Sequence, residues 1–235
     1  MADFKYKRVL LKLSGEALAN QDGHGLDEAI TSDIASEIKK ITDGGVEVAV
    51  VVGGGNIIRG ANQDSMDREK ADYMGMTGTI INALALGELF KKFGLNTKVY
   101  SAIAMDQVVD TYDIEDASKH LSNGEVVILG GGTGKPFVTT DTTATLRARE
   151  LGCDCVLKAT KVDGVYDSDP VKNKDAKKFD KVSFDESLKL GLKVMDEKAF
   201  EMAKESQIPI IVFNMFDKDN IVKVLQGENV GTVVS

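Results

Sequence analysis

Residues 126–141 read VVILGGGTGKPFVTTD, an apolar run of strand type that ends in three glycines. A loop of Thr133, Gly134, Lys135 and Pro136 follows, and Thr139-Thr140-Asp141 opens a helical pattern, TDTTATLRARELG. Gly130, Gly131 and Gly132 let the backbone adopt positive φ and approach a ligand closely. Thr140 or Asp141 is placed to cap the helix, whose first free amides attract anions. Such a turn at the carboxyl end of a strand is a cradle for a phosphate or a nucleotide, because ligands of open α/β sheets sit there. Lys12 is the second candidate, an ammonium inside the apolar run RVLLKL that closes on Ser14-Gly15. It either snorkels from an edge or aims at phosphate from the end of its strand.

Two familiar phosphate motifs are excluded. A P-loop ending in Gly134-Lys135 needs Gly at position 129 and Ser or Thr at position 136, where Leu129 and Pro136 stand. A second glycine turn, Gly53-Gly54-Gly55-Asn56, is closed by Arg59-Gly60, but a dinucleotide fingerprint would need Gly where Ile58 stands. Asp72 lies in a helical pattern and reads by itself as a solvated charge. Cys153 and Cys155 are the two cysteines. In one strand they would share a face about 7 Å apart by strand rise, and with no His or second Cys pair nearby they read as buried free thiols.

The composition bounds the partners. The chain has 235 residues, 43% of them hydrophobic, and only 3 Pro, which suits a full α/β core. A net charge of −8 disfavours a surface that coats nucleic acid. A phosphorylated small molecule must then be held by a few placed Lys, Arg and backbone amides. Lys12 interrupts the apolar run nearest the N-terminus, so no signal peptide is expected, and no stretch has the length of a membrane span. A cytoplasmic protein with no membrane partner is expected.

These residues need rigid elements to hold them. Strands are expected at Arg8 to Leu13, Val46 to Val52, Lys98 to Ala102, the run from Val126, Leu151 to Lys158, Ile208 to Phe213 and Gly231 to Val234. Helices are expected at Asp27 to Thr42, Glu69 to Phe93, Ile114 to Leu121, from Thr139, and at Phe184 to Leu190, Glu197 to Glu205 and Asn220 to Leu225. Gly75, Gly78 and Gly87 weaken the long helix and suggest close approach, between subunits among other options. The Lys-rich stretch up to Phe179 reads as an irregular excursion. Strand and helix alternate throughout, which argues a mostly parallel sheet covered on both faces. One domain with two lobes sharing a sheet is expected.

Taken together, Lys12-Leu13-Ser14-Gly15, GGGN with Arg59, TGKPFVTTD and KATKVDGVY resemble the amino acid kinase family, and within it the bacterial uridylate kinase branch. The likeness runs from Arg8 to Val233. It implies an αβα sandwich, three layers around a mostly parallel central sheet and without a Walker motif. It implies reversible transfer of the ATP γ-phosphoryl group to UMP with Mg²⁺, an acceptor-binding lobe of about residues 1–150 and an ATP-binding lobe of about residues 151–235. It further implies a homohexamer built from dimers, activated by GTP and inhibited by UTP. A carboxylate or carbamate kinase of the same family, and a non-catalytic nucleotide sensor, are the alternatives.

Phosphoryl transfer asks for alignment and charge neutralisation, with little covalent work by the protein. Lys12 would meet the transferring group, and the resemblance implies that Asp141 orients it by an ion pair. The ATP side would take Lys12, Leu13, Ser14, Gly15, Gly55, Arg59, Thr160, Tyr166 and Asp169, with Lys158 adding charge nearby. Amides of Ser14, Gly15 and Gly55 are preorganised donors of the kind that dominate such catalysis. For UMP the resemblance assigns Gly54, Asp72 and the loop of Thr133, Gly134, Lys135, Pro136, Phe137, Val138, Thr139 and Thr140. Arg59 would lie between the two nucleotides' phosphates, where its planar fork can hold two oxygens. The turn of Asn20, Gln21, Asp22, Gly23, His24 and Gly25 matches the segment linked to GTP activation, and a merely structural turn remains open beside it. Asp196 is a further candidate for coupling or phosphate-site support.

Overall fold

Short β-branched runs, too apolar to face water on either side, form the middle layer of the molecule. The computed structural model describes residues 4–58, 66–168, 170, 172–192 and 194–235. In chain order the elements are β1 (Arg8–Leu13), α1 (Gly15–Leu18), α2 (Glu28–Asp43), β2 (Glu47–Val52), α3 (Arg68–Lys91), β3 (Thr97–Ser101) and β4 (Asp110–Thr111). There follow α4 (Ile114–Ser122), β5 (Val126–Gly130), α5 (Thr140–Glu150), β6 (Cys155–Thr160), β7 (Val165–Tyr166), β8 (Lys178–Phe179) and β9 (Lys181–Val182). The remainder is α6 (Phe184–Leu190), α7 (Glu197–Glu205), β10 (Ile210–Asn214), α8 (Asn220–Leu225) and β11 (Gly231–Val234).

Among the described residues, nine strands make one sheet in the order β4-β3-β5-β2-β1-β6-β10-β11-β9, and β7 and β8 form a separate antiparallel hairpin. Every ladder of the large sheet is parallel except β10 with β11. Alternate residues feed two cores. On one face Val9, Leu11 and Leu13 pack with Ile34, Ile38 and Ile41 of α2 and with Leu86 and Phe90 of α3. On the other, Leu10, Val51 and Val156 pack with Ala144 and Ala148 of α5 and Leu121 of α4. Two helical layers around a mostly parallel sheet match the expected αβα sandwich. After β1 the chain fills one side of the sheet, laying down β2, then β3 and β4 at the edge, then β5 between β2 and β3, before it returns to place β6 on the other side of β1. That reversal puts the switch point of the sheet between β1 and β6, where a crevice opens at the strand ends.

The helix ends follow local chemistry. Asp27 caps α2 by accepting from the amides of Ala29 and Ile30 at 2.9 and 3.0 Å, and Asp67 caps α3 through Lys70. Two of the three α3 glycines serve contacts inside this chain, whereas a Cβ on Gly75 would meet open space among the described residues. A Cβ on Gly87 would lie 2.7 Å from Val99 Cγ2, and one on Gly78 would lie 3.2 Å from Ile57 Cβ.

Three expectations need correction. The cap of α5 is Thr139, whose Oγ1 accepts from Thr142 N at 3.1 Å, and neither Thr140 nor Asp141 plays that part. A capping Asp141 would spend its carboxylate on amides, whereas two residues past the cap, inside the first turn, it faces the lysines of the sheet. Cys153 and Cys155 do not share a face: β6 begins at Cys155, and the two thiols lie in opposite cores. The Gly152 turn and Asp154, which accepts from the amides of Lys7 and Arg8, delay the strand. Burial pushes the Cys153 thiol up to about 12, so it is unreactive at neutral pH. The stretch up to Phe179 is not wholly irregular, because it carries the β7–β8 hairpin.

Candidate active site

Lys12 of β1 and Lys158 of β6 are partners in register across the switch point. Their side chains share the face covered by α5, and Asp141 comes down between them from the first turn of that helix. Lys12 Nζ lies 3.0 Å from Asp141 Oδ1, and Lys158 Nζ donates to Asp141 Oδ2 at 2.7 Å and to Val194 O at 2.6 Å. Among the described residues, Oδ1 is buried with the Lys12 ion pair but no aligned hydrogen bond. Burial pushes the Asp141 carboxyl up, but the two ammonium groups outweigh it and hold the carboxyl below its usual range. Burial pulls the Lys158 ammonium below the usual lysine range, and Asp141 only partly offsets this. Two cations share one anion. The group therefore carries a net positive charge in a half-buried crevice, which suits an incoming phosphate.

Two cavities flank this triad. The first, about 500 Å³, lies between the β2 turn, α3 and the loop before α5, and is lined in part by Gly54, Gly55, Asp72, Lys135, Phe137 and Thr140. Gly54 is there for close approach: a Cβ would lie 2.5 Å from Gly75 O of α3. Asp72 Oδ1 accepts from Arg68 Nε at 3.1 Å, and Oδ2 accepts from the Phe137 amide at 2.8 Å. A carboxylate offers about four lone pairs, so room remains for ligand hydroxyls. Phe137 has φ of 62° and is 64% exposed, an unusual backbone for an aromatic residue, with its amide anchored on Asp72.

The second cavity, about 510 Å³, is bounded by β6, the β7–β8 hairpin and the segment after α6, with Lys158, Thr160, Tyr166 and Val194 on its wall. Tyr166 Oη donates to Asp163 Oδ1 at 2.8 Å, and Thr160 Oγ1 closes its own turn by donating to Val162 O at 2.8 Å. Thr232 of β11 pins the hairpin, accepting from Val165 N at 2.8 Å and donating to Phe179 O at 2.5 Å. Asp196 joins α7 to α5: it caps α7 through Ala199 N at 3.0 Å, accepts from Thr142 Oγ1 at 2.8 Å and accepts from Thr139 Oγ1. Thr140 lines the first cavity, its neighbour Asp141 bonds Lys158, and Lys158 lines the second.

Of the other expected site residues, Leu13 is fully buried, so only its backbone is available, while Ser14 and Gly15 begin α1 beside the β2 turn. Val138 and Thr139 line the first cavity; Thr133, Gly134 and Pro136 are in the same loop but are not on its wall. Arg59 and Asp169 lie outside the described residues. The Asn20 to Gly25 turn is organised by Asn20, whose Oδ1 accepts from the amides of Asp22 and His24 at 3.1 and 3.2 Å. Sequence reasoning missed Arg147, which lies over the Tyr112 ring at 4.0 Å and donates to Gly132 O at 3.3 Å, bracing the Gly130 to Gly132 turn from α5. Its signal was an arginine on the inward face of a helix. It also missed Thr79, whose Oγ1 accepts from Gly131 N at 2.7 Å.

The chain matches the model of the amino acid kinase family over residues 7–214. A solved structure of UMP kinase from Bacillus anthracis superposes with a TM-score of 0.94 at 41% identity, covering 98% of this chain and 96% of the other. UMP kinase from Ureaplasma parvum gives 0.93 at 39% identity, covering 98% and 99%. Uridylate kinase from Archaeoglobus fulgidus gives 0.75 at 29%, covering 97% and 99%.

Proposed function

The chain belongs to the amino acid kinase family, and from that premise we propose that it is a UMP kinase, moving the γ-phosphoryl group of ATP reversibly onto UMP to give UDP and ADP. The near-full-length likeness to two UMP kinases at 41% and 39% identity carries the reading. The geometry supplies a physical account. UMP occupies the cavity beside Asp72 and ATP the one beside Tyr166, and their phosphates meet over the Lys12–Asp141–Lys158 triad. An oxygen of the UMP phosphate attacks the γ-phosphorus, and the bond to the bridging oxygen breaks with its electron pair leaving on ADP. The acceptor is already ionised, so no general base is needed. Lys12 and the amides of Ser14, Gly15 and Gly55 neutralise charge on the moving group.

Bound with ATP as its counter-ion, Mg²⁺ would lower the charge on the phosphate oxygens. Both oxygens of Asp141 already face ammonium groups, which fits a metal carried by phosphate and water. In this reading the first 150 residues serve mainly the acceptor and the rest mainly ATP. The Asn20 to Gly25 turn is assigned to GTP activation, and UTP acts as the inhibitor. The outer face of α3 presents Tyr73, Met74 and Ile81, which are 40%, 39% and 49% exposed, and supports assembly into the expected hexamer of dimers. The cytoplasm is the compartment that such an enzyme implies. Among the described residues no helix is long and apolar enough to cross a membrane.

Incubation with ATP–Mg²⁺ and, separately, UMP, CMP, acetylglutamate and carbamate tests the assignment. UDP formation is expected. Turnover of a carboxylate or carbamate without UMP would refute it.

A further inference from the structure

Beneath the two glycine turns lies a side-chain pair to which the transfer chemistry gives no task. Asn56 and Asn82 are each 1% exposed. Asn82 Nδ2 donates to Asn56 Oδ1 at 2.7 Å, and Asn56 Nδ2 donates back to Asn82 Oδ1 at 3.0 Å. Each amino group has one more hydrogen. That of Asn82 goes to Gly53 O at 2.7 Å and that of Asn56 to Gly25 O at 2.5 Å. Backbone carbonyls only accept, so turning either carboxamide over would set oxygen against oxygen. The orientation of both groups is thus fixed by their surroundings.

Apolar side chains of the same shape would fill this space without four aligned bonds. What the carboxamides add is a fixed distance. Asn82 holds the turn after β2 against α3, and Asn56 holds it against Gly25 of the polar turn. The turn after β1 rests on the same pair, because a Cβ on Gly15 would lie 2.5 Å from both Asn56 Oδ1 and Gly53 O. Gly53 N in turn donates to Leu13 O at 2.9 Å. Four segments converge on one buried amide pair: the turns after β1 and β2, α3 and the polar turn.

We propose that the Asn56–Asn82 carboxamide pair sets the spacing between the turn after β1 and the turn after β2, and thereby the alignment of the donor and acceptor phosphates. The inference rests on the phosphoryl-transfer reading. Neither residue touches substrate in it; both are positioning residues. A misplacement of about 1 Å between reacting groups lowers the rate about 10²-fold while leaving each partner bound.

Two variants probe the spacing from the two ends of the pair. Asn82→Asp keeps the size of the side chain but puts an oxygen where the donor to Gly53 O stood. Asn56→Asp likewise keeps its size and its bond from Asn82 Nδ2 but loses the donor to Gly25 O. Both are expected to lower kcat by about 10- to 100-fold, with KM for ATP and for UMP changed less than about threefold. Amide hydrogen exchange in Asn82→Asp should quicken together in peptides covering residues 14–16 and 53–56. A purely structural pair would lower Tm while the folded fraction kept the parent kcat, and that result overturns the inference. So does a change confined to KM, or loosening of residues 53–56 alone. Should Asn82→Asp fail to fold, the kcat of Asn56→Asp decides. A parent protein that does not turn over UMP refutes the kinase assignment instead, and the exchange experiment still judges the pair.

Discussion

Sharing one carboxylate between two ammonium groups makes Asp141 the pivot of the crevice and leaves a positive charge for phosphate to meet. Lys12→Ala is expected to lower kcat by about 10²- to 10³-fold, the range for losing one preorganised transition-state donor; steady-state kinetics at saturating ATP and UMP check it, and an unchanged kcat removes Lys12 from the mechanism. The pH dependence has two limbs of known sign. The Asp141 carboxyl is held below its unfolded value, so its contribution to stability is present above the usual carboxylate range and is lost as pH falls through the depressed value. Lys158 is pulled below its unfolded value, so the unfolded chain binds the extra proton between the two values and stability rises with pH there. Activity moves the other way, because deprotonation removes a cation from the crevice. The basic limb of kcat should therefore fall below the ordinary lysine range, and Lys158→Arg, which cannot deprotonate, should shift that limb to higher pH. A profile indifferent to that substitution would take Lys158 out of the charge balance. The lysines were visible in sequence as charges in apolar strands, but their register match was not, since pairing of β1 with β6 joins residues about 146 positions apart. Asn56 and Asn82 were harder still: a polar residue in a turn or on a helix reads as solvent-facing until the fold buries it.

At the scale of elements, the site is held by caps and clamps between helices. Asp196 is the clearest case, since it caps α7 and at the same time receives the hydroxyls of Thr139 and Thr142 at the start of α5. Asp196→Ala is expected to destabilise the protein by about 1–2 kcal/mol through the lost cap alone. It should also raise KM for nucleotide, because the first turn of α5 carries Asp141. Urea unfolding and steady-state kinetics check the two effects, and a variant with unaltered stability would show that the clamp is incidental. Strand and helix centres were legible from periodicity, and α6, α7, α8, β1 and β11 have the expected ends. Where expectation failed, a longer-range contact decided. The start of β6 is set by Asp154 reaching the amides of Lys7 and Arg8, and the hairpin within the Lys-rich stretch is set by Thr232. No local pattern carries such information.

At the scale of the whole molecule, α3 has two apolar sides. One packs on the sheet through Leu86 and Phe90, and the other leaves Tyr73, Met74 and Ile81 on the surface. A helix covered on one side only would show polar residues there. In the proposed hexamer, Ile81→Arg places a charge in the middle of that face and is expected to shift light scattering to smaller species; a mass equal to the parent's would take this face out of the assembly. One consequence of the sheet order reaches beyond the finished enzyme. β11 follows every other strand in the chain, yet it lies between β10 and β9, and its Thr232 tethers the hairpin that bears Tyr166. Proteins are made from the N-terminus onward. During translation the strands beside the Asp72 cavity can assemble early, while β9 waits unpaired with the sheet until residues 231–234 leave the ribosome and slot in beside it. A polypeptide interrupted before β11 could form the cavity beside Asp72 but would lack a finished wall for the one beside Tyr166.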